Sequence, residues 1–126
     1  MQKKLIGVDA SAKNTLPYSP GVEVDGVLYT SGMLPIDSVT GEIVGGDVKA
    51  QTRQVLENLD NLLKSAGYTR SDVVKTAVFM TDLSHFAAMN ELYAEFFSKN
   101  FPARTTVQVG ALPRGAMVEI ELIARK

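Results

Sequence analysis

The stretch NFPARTTVQVGALPRGAMVEIELIARK, residues 100–126, decides the fold, because it holds the last two strands and the loop that sets where each lies in a sheet. From Val118 the residues alternate, with Val118, Ile120, Leu122 and Ala124 on one side and Met117, Glu119, Glu121 and Ile123 on the other. That is the period of a half-buried strand. A second alternating run follows Phe101-Pro102 and sets Thr105, Val107 and Val109 on its apolar side, so Arg104 is expected to point away from the core, as Glu119 does. The strands are predicted over 104–109 and 117–124, and the turn-forming GALPRGA between them is long enough for the two to pair or to lie apart.

Working back towards the amino terminus, SHFAAMNELYAEFFSKN carries Phe86, Met89, Tyr93 and Phe96 or Phe97 at helical spacing, with Asn90 inside the stripe. The aromatic and methionine residues read as core, and Asn90 as an amide that satisfies nearby backbone. DVVKTAVFMTD is apolar on both sides, as a doubly covered strand would be. DVKAQTRQVLENLDNLLKSAG sets Val48, Val55, Leu59, Leu62 and Ala66 on one helical face between an Asp47 N-cap and a Gly67 stop. Residues 21–31 form a hairpin about Asp25-Gly26, and MLPIDSVTGEIVGG is a surface excursion with room for a short strand. The expected architecture is one α+β domain over 1–126, a mixed sheet with two helices on one face. Two helices leave the other face bare, so self-association is expected to cover it.

Thirteen basic against fourteen acidic side chains give a net charge of -1, which offers no general attraction to nucleic acid or anionic membrane. There is no cysteine, and His85 is the lone histidine, so thiolate chemistry and His-rich metal sites are excluded. No run approaches the roughly 20 apolar residues of a membrane span, and a cytoplasmic protein is expected.

Arg104 and Glu119 are the charges that a bare face would bring to a subunit seam. Arginine's fork matches a carboxylate, and a nearby carboxylate can take a proton from water. The pair therefore suits chemistry at a carbon next to an acid group.

Four stretches carry a resemblance: LPYSPGVEVDGVLYTSGMLPID (16–37), QTRQVLENLDNLLKSAG (51–67), VVKTAVFMTDLSHFAAMNELYAEFF (73–97) and FPARTTVQVGALPRGAMVEIE (101–121). The chain resembles the RidA proteins of the YjgF/Rid family, the enamine/imine deaminases. The resemblance implies a chorismate-mutase-like fold with the last strand inserted between earlier ones, and a homotrimer around a central barrel with clefts between subunits. It implies hydrolysis of reactive 2-imino acids such as 2-iminopropanoate and 2-iminobutanoate to 2-keto acids and ammonia, without metal or cofactor. By the same resemblance Arg104 clamps the substrate carboxylate, Glu119 activates water, Tyr18 lines the cleft and Gly32 is a close-approach glycine. Thr106 stands where many members have cysteine, and is expected to act mainly through its backbone. The alternatives are a non-catalytic binder of small keto acids and, with less support from the charge balance, an RNA-acting translation inhibitor or ribonuclease.

Overall fold

A computed structural model describes residues 2–8 and 16–126. Its six strands are β1 (Lys4–Ile6), β2 (Gly21–Val24), β3 (Val27–Thr30), β4 (Val73–Met80), β5 (Ala103–Gln108) and β6 (Val118–Arg125). Two helices, α1 (Val48–Ser65) and α2 (Phe86–Phe97), complete the fold. The sheet order is β1-β2-β3-β6-β4-β5. β6 thus runs antiparallel between β3 and β4, while β4 and β5 are parallel and joined through α2. The last strand inserts as the family resemblance implied, which the loop length alone left open. The β1 strand was not anticipated: three residues with a single buried side chain carry almost no periodic signal.

Local chemistry sets the frame. Asp25 and Gly26 both take positive φ, the requirement of the tight turn joining β2 to β3. The Asp47 carboxylate accepts from the Ala50 N–H at 3.0 Å and starts α1. At the other end Gly67 adopts φ +82°, Tyr68 N–H donates to the Leu63 carbonyl, and Gly67 N–H donates to the Lys64 carbonyl. These two bonds close a Schellman motif and satisfy carbonyls that the helix end would otherwise leave open.

The helices cover one face of the sheet. Val55, Leu59 and Leu63 of α1, and Met89 and Tyr93 of α2, pack on Leu28, Val78, Met80, Val118, Ile120 and Leu122. On the other face the pairings align Leu5, Val22, Tyr29, Ile123 and Lys75 across the strands. Leu5, Tyr29 and Val107 are 48%, 45% and 40% exposed, so this face is apolar and without cover from the chain itself. β4 is accordingly buried on one side only, its Ala77 and Phe79 being half-buried.

Candidate active site

β3 does not simply end at Thr30. The Leu122 N–H donates to the Thr30 hydroxyl at 2.9 Å instead of to backbone, and the chain rejoins β6 at the Met33–Ile120 bridge. Gly32 lies in that gap, directly over Glu119. A Cβ at position 32 would sit 2.5 Å from both Cδ and Oε2 of Glu119, and no left-handed φ accounts for the glycine. Close approach is therefore why position 32 lacks a side chain. Glu119 projects from the uncovered face opposite Phe79. Burial, reinforced by the Glu121 charge, raises its pKa above the usual glutamate range. Tyr18 is exposed and shares with Gly32 a hollow of about 120 Å³ that is also lined by Pro20, Ser31, Met33 and Asn58 of α1, and not by Glu119. The turn bearing Tyr18 is pinned to the β3 end, since Ser31 donates through its N–H to the Pro20 carbonyl and through its hydroxyl to that of Ser19.

Arg104 stands elsewhere. β5 is the edge strand, and its register pairs Arg104 with Thr76, Thr106 with Val78 and Gln108 with Met80, all on the helix side. The expectation that Arg104 and Glu119 share the uncovered face is thus corrected, together with the parity assumed for 104–109. Thr105 and Val107 face the open side, and Thr106, expected on the bare face with Met117 and Ile123, faces the helices. Of those three only Ile123 lies on the open face, for Met117 packs against the core. The cause is the edge position: the helix layer thins there, so the inward side of β5 tolerates a cation, while its small and apolar residues serve the bare face.

The Arg104 guanidinium lies 4.7 Å from the ring centre of Tyr93 and 5.4 Å from that of Phe86, and its Nη1 donates to Asn90 Oδ1 at 2.6 Å. A hollow of about 320 Å³ opens beside it between Asn90, Tyr93, Phe101 and Pro102. Thr106, two residues on and on the same side, has a buried hydroxyl oxygen with no hydrogen-bond partner among the described residues. Within one chain the guanidinium and the Glu119 carboxylate do not meet. β4 separates their strands by roughly 10 Å, the positions they pair with on β4 are three residues or roughly 10 Å apart, and they leave opposite faces.

Two groups of residues are thus assembled: Glu119 against Gly32, with Tyr18 in the hollow beside Gly32, and Arg104 with Thr106 on the helix side. Asn90, read in the sequence as backbone-satisfying, instead holds Arg104. The available signal was a polar residue three positions before Tyr93 on an otherwise apolar helical stripe. A further hollow of about 530 Å³ includes no residue of either group, and its Arg70 is already engaged by Asp60 and the Phe96 carbonyl. Among the described residues no three His, Cys, Asp or Glu side chains gather to hold a metal ion, and no helix is long and apolar enough to cross a membrane.

Residues 9–126 match the family model described as Endoribonuclease L-PSP. A RutC family protein of Pyrococcus horikoshii is 47% identical over 98% of both chains. A human 2-iminobutanoate/2-iminopropanoate deaminase is 44% identical over 86% of this chain and 79% of its own. Among solved structures, a protein of the conserved Rid family from Yersinia pestis superposes with a TM-score of 0.92 at 44% identity, covering 99% of this chain and all of that one.

Proposed function

The chain belongs to the endoribonuclease L-PSP family, the YjgF/Rid proteins, and from that membership we propose that it hydrolyses small 2-imino acids, 2-iminopropanoate and 2-iminobutanoate, to 2-keto acids and ammonia. The relative from human, and a second from mouse at 42% identity, are deaminases of these two compounds by name. The observation that carries the proposal is Glu119, a carboxylate of raised proton affinity set against Gly32 on a face that is otherwise largely apolar. A carboxylate of raised proton affinity is better suited than an exposed one to take a proton from water.

Arg104 supplies the second requirement, a fixed cation for the substrate carboxylate. Because one chain carries the two groups on opposite faces, the working cleft forms between copies, with Arg104 and Thr106 from one and Glu119, Gly32 and Tyr18 from its neighbour. The bare apolar face is the surface on which copies meet, and a closed trimer around a central barrel is the assembly proposed. Water adds through oxygen to the imine carbon while its proton passes to Glu119. That proton then goes to nitrogen to give the carbinolamine, the remaining hydroxyl proton follows through Glu119 to nitrogen, and as the C–N bond breaks the carbonyl forms and ammonia leaves. Positioning alone removes several kcal/mol from such a barrier. Tyr18, exposed near Gly32, is assigned in this proposal to close the cleft and to hydrogen-bond the departing nitrogen.

The test is kinetic. Imine is generated in place by a dehydratase, and ammonia release is followed with the wild type, Arg104→Ala and Glu119→Ala. Loss of acceleration over spontaneous hydrolysis in both variants is expected. Full activity in a folded Arg104→Ala protein would remove the carboxylate clamp. Measured ammonia release also separates turnover from mere keto-acid binding.

A further inference from the structure

The guanidinium of Arg104 is held on two sides before any substrate arrives. Its Nη1 is taken by Asn90 at 2.6 Å, one face lies over the Tyr93 ring, and the Phe86 ring flanks it. Among the described residues no other hydrogen bond engages Arg104, so the edge made by Nε and Nη2 is the one left to receive a ligand. Tyr93 is itself locked, for its hydroxyl shares a 2.7 Å hydrogen bond with Thr76, a residue only 1% exposed on the strand paired with Arg104. Asn90 and Tyr93 sit three residues apart on α2, one turn of one helical face.

We infer that Asn90 and Tyr93 are positioning residues that fix the Arg104 guanidinium with its Nε/Nη2 edge turned to the substrate carboxylate. This rests on the carboxylate-clamp role proposed for Arg104. An arginine free on an edge strand samples many rotamers, and each immobilised long side chain subtracts from binding. One charge-assisted hydrogen bond and one aromatic face remove that loss in advance and leave a planar fork in the geometry that a carboxylate needs. The inference also gives the amide in the apolar stripe of α2 a purpose: it must be polar to hold Nη1, and uncharged, because a carboxylate there would neutralise the cation that the substrate seeks.

The test measures binding of 2-oxobutanoate, an unreactive keto acid with the same carboxylate, by calorimetry on the assembled protein, with steady-state kinetics alongside. Asn90→Ala and Tyr93→Leu are expected to weaken binding and raise KM by about tenfold, with kcat changed less than threefold, the scale of one charge-assisted hydrogen bond or desolvated cation–π contact. Tyr93→Phe keeps the ring and should stay within about threefold, which makes it the rescue variant and the usable one if the leucine variant does not fold. In an Arg104→Lys background, where there is no fork to orient, Asn90→Ala should cost less than about threefold further. Wild-type binding by Asn90→Ala, or an equal loss in the Lys background, overturns the inference. Arg104→Ala with undiminished binding would instead overturn the clamp on which it stands.

Discussion

Replacing Gly32 by alanine adds one methyl group at the tightest point of the site. The new carbon would lie 2.5 Å from Cδ and Oε2 of Glu119, against an ordinary contact of 3.4 Å or more, so one partner must move by about an ångström. The backbone at 32 is not left-handed, hence alanine meets no torsional penalty, and the partner that yields is the free end of a flexible glutamate. Folding should therefore suffer little, with a melting shift within about 3 °C, equivalent to under about 1 kcal/mol for a chain of this size. Catalysis should suffer much. General-base catalysis contributes roughly 10² to 10⁴ in rate, and misplacement by about 1 Å forfeits about 10²-fold. The expected result is a kcat about a hundredfold down, or about 2.7 kcal/mol of barrier, with KM nearly unchanged because Arg104 is untouched. The assay is ammonia release from dehydratase-generated imine, corrected for spontaneous hydrolysis, with thermal melting in parallel. Adding Gly32→Ala to Glu119→Ala should cost nothing more, since the group that the methyl displaces is gone. A folded Gly32→Ala protein with wild-type kcat, or an additive loss in the double variant, would refute the reasoning.

The acidic limb of the kcat/KM profile should fall above the ordinary glutamate value of 4.5, because burial and then Glu121 both favour the protonated form of Glu119. Glu121→Gln removes the like charge and should move that limb to lower pH; a limb that stays put would refute the assignment. Thr106→Val exchanges a buried hydroxyl without a partner for a methyl of similar size, so melting should hold or rise, by up to about 1 kcal/mol, with kcat/KM within about threefold. A larger kinetic loss would give the hydroxyl a direct part in binding. Arg70→Leu strips Asp60, 8% exposed, of its main partner and leaves only Lys64, at a cost of about 1–2 kcal/mol at pH 7. The Arg70 hydrogen bond is the largest influence holding the Asp60 pKa below its usual 3.8. That contribution is present above pH 3.8 and is lost as pH falls through the folded-state value, so the two melting curves should converge in acid.

Much of the scaffold is legible in the chain because local signals agree there. Asp47 and Gly67 bracket α1, Asp25-Gly26 turns the hairpin, and Val118 to Ala124 alternates without exception. The place of β6 was not legible from spacing, since its partners are set by long-range pairing with β3 and β4. The parity of β5 was misread for a physical reason. An edge strand between a thin helix layer and a bare apolar face hides no side fully, so Thr105 and Val107 look inward while Arg104 is the one tucked beneath α2. Glu119 and Gly32 stand out singly in the sequence, but their contact arises from a gap in β3–β6 pairing that no periodicity reports. Asn90 was visible only as an interruption, and its meaning needed Arg104 beside it.

The central claim is that the Arg104 of one copy and the Glu119 of another complete a single cleft. Arg104→Ala and Glu119→Ala chains, differently tagged and co-expressed, would be purified through both tags and assayed for imine hydrolysis. If clefts form between copies, every closed trimer that carries both tags joins an intact Arg104 to an intact Glu119 in one of its three clefts, so about a third of wild-type activity should return from two inactive parents. Hybrid oligomers that form and remain as inactive as their parents would contradict it.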